Sequence, residues 1–99
     1  MPYRAPAAEL AFTLSHIAGF GKVQDTALFA DCTDDLTGAI LAEAGKLCET
    51  TLAPLNRIGD KVGAKFQGGD VTTPPGFIDA YRQIAAGGYV GMAGAPEYG

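Results

Sequence analysis

The 99-residue chain contains no tryptophan, one serine, one histidine and two cysteines. Each scarcity removes a class of chemistry. His16 has no second histidine to join, and Cys32 and Cys48 stand outside any His or Cys cluster, so no metal-ligand spacing exists. The only serine, Ser15, sits beside His16; adjacent residues on a helix point in different directions, which excludes a serine–histidine pair. Its setting, Leu14-Ser15-His16, also lacks the Asp-Ser-Leu that an acyl-carrier domain needs to hold its prosthetic arm. Positive charge is short as well. Seven Lys and Arg face eleven Asp and Glu, for a net charge of -4, and Arg4, Lys22, Lys46, Arg57, Lys61, Lys65 and Arg82 are scattered. Nucleic acid and anionic membrane surfaces both need clustered cations, so neither is an expected partner. No run approaches the roughly 18–20 uncharged apolar residues of a membrane span. The opening Met-Pro-Tyr-Arg-Ala-Pro is no secretory signal, because Glu9 and His16 interrupt the apolar stretch. A cytoplasmic chain with two reduced cysteines is expected.

What remains is apolar and alanine-rich. Hydrophobic residues make up 47%, but 17 of them are alanines, leaving 30 larger side chains to fill a core. Abundant alanine and few β-branched residues predict an all-α fold. Leu10, Leu14 and Ile17 recur at helical spacing and predict a short helix over 7–18, started near Pro6 and stopped by Gly19 and Gly21. Residues 20–31 show no clean period and read as a loop with one helical turn. Thr33 is a natural helix cap, with Asp34 and Asp35 at the positive end of the helix dipole. From there a stripe of Leu36, Ile40, Ala44, Leu47/Cys48, Leu52, Leu55, Ile58 and Val62 runs straight through Pro54. It predicts one long helix near 34–58, kinked at the proline and weakened by Gly59 and Gly63. Gly63 is expected to supply the left-handed backbone of the turn that follows. Gly68-Gly69-Asp70 marks a turn with room for at most a small two-stranded excursion. Pro74-Pro75, with Thr73 as cap, opens a third helix near 75–87 whose buried face carries Phe77, Ala80/Tyr81 and Ile84 and which Gly87-Gly88 ends.

No residue pattern points to chemistry within the chain. Gly19-Phe20-Gly21 resembles a phosphate loop, but position 24 is Gln24 and no strand leads into it. Asp31, Asp34 and Asp35 read as solvated helix-start charges. No catalytic, cofactor-binding or metal-ligating residue is expected.

A succession of fragments is more informative. Leu52-Ala53-Pro54-Leu55-Asn56 is followed by Gly59-Asp60-Lys61-Val62-Gly63, then Val71-Thr72-Thr73-Pro74, Gly76-Phe77, Ala80-Tyr81, Gly88-Tyr89 and Pro96-Glu97-Tyr98-Gly99. In this order and spacing they resemble the N-terminal helical domain of the acyl-CoA dehydrogenases. The opening Tyr3-x-Ala5-Pro6 and Phe12-x-Leu14 are similar to the branch with an N-terminal extension, the methylthiopropionyl-CoA dehydrogenase-like enzymes. The departures are Tyr89, where many relatives carry tryptophan, and the doubled proline at 74–75. The resemblance covers all 99 residues and implies a single helical domain, with 1–31 as extension and 32–99 as the family's helical region. It implies a parent enzyme that binds FAD and an acyl-CoA, with the flavin site and the catalytic glutamate on other domains. This chain would wall one side of the acyl-CoA pocket, with Glu97, Tyr98 and Gly99 in the loop near the acyl group. Alone it would be inactive, hold no flavin and self-associate as a homo-oligomer through its long helix around Ile40, Leu47 and Leu55. The competing expectation is a free-standing helical module that dimerises through the same stripe.

Overall fold

A computed structural model describes residues 2–98, and Gly99 lies outside the described residues. The elements in order are α1 (Ala7–His16), α2 (Phe20–Gln24), α3 (Asp34–Leu47), a π-helical segment (Cys48–Leu52), α4 (Ala53–Val62), β1 (Lys65–Gln67), β2 (Asp70–Thr72) and α5 (Phe77–Ala86). The fold is therefore mostly helical, and the two strands are the small excursion that the glycine pair allowed. Packing divides the chain into two compact units, Met1–Glu49 and Thr50–Gly99.

In the first unit, α1 ends two residues earlier than predicted. Ile17 and Ala18 both turn their N–H groups onto the Thr13 carbonyl, and Gly19 follows at φ +70°. The single turn expected in 20–31 is α2. Thr33 caps α3 as expected, its hydroxyl accepting from the Leu36 N–H at 3.2 Å. Asp34 and Asp35 occupy the first turn and Lys46 the last, the charge order that the helix dipole favours. Three hydrogen bonds hold the irregular parts. The Gln24 side-chain amide donates to the Cys32 carbonyl (2.7 Å) and to Asp34 Oδ1 (2.9 Å). The Ala5 N–H donates to Glu49 Oε1 at 2.8 Å, which ties the extended N-terminal residues to the far end of the unit. Ala5 also packs against Gly45, where an added Cβ would lie 2.9 Å from the Ala5 methyl.

Helical backbone runs without a break from Asp34 to Val62, but the kink expected at Pro54 takes the form of a widened turn, Cys48–Leu52. Proline has no N–H to donate, and its ring crowds the carbonyl one turn back. Widening the preceding turn relieves both problems. The proline itself sits in the first turn of α4, where a missing donor costs least. The helix then continues to Val62 rather than stopping near 58.

In the second unit, Gly63 follows α4 at φ +69°, the positive φ expected, but with ψ 171° rather than the αL value, a combination essentially restricted to glycine. Gly68 and Gly69, at φ +60° and +87°, form the two-residue hairpin turn whose central positions both need positive φ. The strands pair antiparallel, with Lys65 opposite Thr72, Phe66 opposite Val71 and Gln67 opposite Asp70. The third helix starts later than predicted, at Phe77, and its cap is Gly76 at φ +88° rather than Thr73. A residue before proline resists the helical region, so Thr73 and Pro74 cannot enter the first turn. At the other end Gly88 (φ +83°) donates to the Ala85 carbonyl and Tyr89 to the Ile84 carbonyl, the paired bonds of a glycine-terminated helix.

Little is buried. Among the described residues only Ala80 and Pro74 are fully covered. The chain exposes 7765 Å², whereas two separate compact globules of half its mass each would together expose about 6,400 Å². The excess does not depend on how the two units are arranged. It is surface that neither unit covers for itself.

Candidate functional site

Two small-to-large contacts build a groove in the second unit. Gly59 on α4 leaves room for the Phe77 ring: a Cβ there would stand 2.8 Å from Phe77 Cζ. Gly76 does the same for Leu55, whose Cδ2 would lie 2.8 Å from an added Cβ. Phe77 seated over Gly59 and Leu55 over Gly76 join α4 and α5 through their side chains, and Ala80 is 4% exposed. The Thr51 hydroxyl donates to Gln83 Oε1 at 3.2 Å and joins the preceding turn to α5. Between the helices remains an apolar groove of about 370 Å³ lined by Leu52, Leu55, Asn56, Phe77, Ala80, Tyr81 and Ile84. Of the predicted buried face of α5, Phe77, Ala80 and Ile84 are covered or half-covered, while Tyr81 is 61% exposed at the rim. A second groove of about 640 Å³ runs between β2 and the start of α5, bordered by Val71, Ile78, Asp79 and Arg82.

The first groove is suited to apolar contact and to nothing that moves a proton. Its polar lining is one amide, Asn56, and one phenol, Tyr81. The residues of the two grooves do not fit FAD. The first has no cation to meet a pyrophosphate, and in the second the Arg82 guanidinium is already 3.7 Å from the Asp79 carboxylate. Among the described residues no group of three His, Cys, Asp or Glu side chains converges on a common point.

The other candidates fall into place individually. The His16 ring packs on Phe12, centroids 4.7 Å apart, one helical turn away. Ser15 and Asp34 border a 200 Å³ groove of the first unit that also includes Leu14 and Phe20. Asp31, Asp34 and Asp35 are exposed. Cys32 and Cys48 are free thiols, both half-buried. Glu97 and Tyr98 lie in an exposed turn closed by the Tyr98 N–H on the Ala95 carbonyl at 2.8 Å, with Tyr98 85% exposed. The third residue of that predicted set, Gly99, lies outside the described residues. Sequence reasoning missed Asn56 as a groove residue and Glu49 as the acceptor for Ala5. Neither contact has a local signature, since Ala5 and Glu49 are 44 residues apart.

These features describe a small, mostly helical chain with an apolar groove. No family model matches it. Over all of its 99 residues it is 31% identical to part of a 3-methylmercaptopropionyl-CoA dehydrogenase of Ruegeria pomeroyi. The chain spans 17% of that enzyme's length. The chain is thus similar to a fragment of an acyl-CoA dehydrogenase. No helix among the described residues is long and apolar enough to cross a membrane.

Proposed function

We propose that this chain is the N-terminal helical part of a flavin-dependent acyl-CoA dehydrogenase, with 1–31 as the extension and 32–99 as the family's helical region. The observation that carries the reading is identity across the whole chain, 31% over 99 residues, to a single stretch of such an enzyme. The role follows from what the chain has and lacks. It offers apolar helical surface and a terminal turn with Glu97 and Tyr98, which suit a wall beside an acyl group. The apolar groove holds no carboxylate or imidazole among its lining residues, so in this reading the α-proton of the acyl-CoA goes to a carboxylate on another domain, which also holds FAD. The 99 residues alone are inactive, the parent is cytoplasmic, and it works as a homo-oligomer.

The test is to express the complete reading frame that encodes this chain, beside residues 1–99 alone. Each product is assayed for acyl-CoA-dependent reduction of an artificial electron acceptor and for visible flavin absorbance. The expected result is flavin and turnover with the complete frame and neither with the 99 residues. In the complete protein, Tyr98→Ala should raise KM for the acyl-CoA more than it lowers kcat. Two results would sink the proposal: stoichiometric flavin on the 99-residue chain, or a complete frame without flavin and without acyl-CoA turnover.

A further inference from the structure

We draw no further inference here: the strongest candidate, the apolar groove between α4 and α5 lined by Leu52, Leu55, Phe77, Ala80 and Ile84, is open within a chain that spans 17% of its relative's length, and nothing in the structure shows what covers it.

Discussion

Gly76→Ala tests how α4 and α5 are joined. Two costs act at this position. Gly76 holds φ +88°, a backbone region that costs a residue with a Cβ about 1–2 kcal/mol. The new methyl would also stand 2.8 Å from Leu55 Cδ2, with Cγ at 3.9 Å and Cδ1 at 4.0 Å behind it. Forcing an extra carbon into a filled contact costs about 1–3 kcal/mol. A less flexible unfolded chain returns about 0.4–1 kcal/mol. The expected net loss is about 1–4 kcal/mol, at the low end where the Leu55 side chain swings aside, against the roughly 5–15 kcal/mol that holds a domain of this size together. Gly88→Ala separates the two costs. Gly88 has nearly the same φ, +83°, but nothing lies within 4 Å of its added Cβ, so it should lose only about 1 kcal/mol. The assay is urea unfolding followed by circular dichroism for both variants and for each combined with Leu55→Ala. Leu55→Ala removes the atoms that the methyl strikes. In its background Gly76→Ala should cost about 1–3 kcal/mol less, while Gly88→Ala costs the same as before. If Gly76→Ala falls within about 0.5 kcal/mol of Gly88→Ala, or shows no coupling to Leu55, the Leu55–Gly76 contact is not what holds this unit.

Two further predictions concern the first unit. Thr33→Ala removes the acceptor for the Leu36 N–H and should cost about 1 kcal/mol; amide exchange at Leu36 should accelerate while that at Leu47 does not. Glu49→Ala takes away the acceptor of the Ala5 N–H, a charge-assisted bond worth about 1.5–3 kcal/mol, and should free the N-terminal residues without unfolding the rest. Trypsin cleavage after Arg4 should quicken in Glu49→Ala and much less in Glu49→Gln, which keeps an acceptor oxygen. Equal cleavage rates in the two variants would transfer the effect to the Arg4–Glu49 ion pair, which at 3.9 Å with Arg4 76% exposed contributes little by the geometry.

The helices were legible because their signals are local. Thr33 with two aspartates behind it, the three-and-four spacing from Leu36 to Val62, and Gly87-Gly88 after an amphipathic stretch each specify an element within a few residues. Where reading failed, the deciding contact was distant or steric. Gly59 looks like a helix breaker until Phe77, 18 positions on, fills the space its missing side chain leaves; that contact is why α4 runs past 58. Pro54 shows where a helix must adjust, but the pattern cannot choose between a bend and a widened turn. Thr73 has the right side chain for a cap, but Pro75 keeps Pro74 out of the helical region, so no helical turn can start directly after Thr73.

The candidate site was less legible, for a related reason. Composition suggests how much a chain can bury, not whether it does so. Thirty apolar side chains larger than alanine would ordinarily read as a core, yet Phe66, Val71 and Ile78 stand mostly in solvent. A Phe–Val pair on three-residue strands looks the same in sequence whether a helix covers it or nothing does. What distinguishes the cases is the partner across the space, and for these side chains neither unit supplies one. The apolar groove between α4 and α5 is different, since Leu55 and Phe77 largely fill its base themselves. Of the two surfaces, the hairpin face is therefore the one whose apolar side chains stay mostly in solvent.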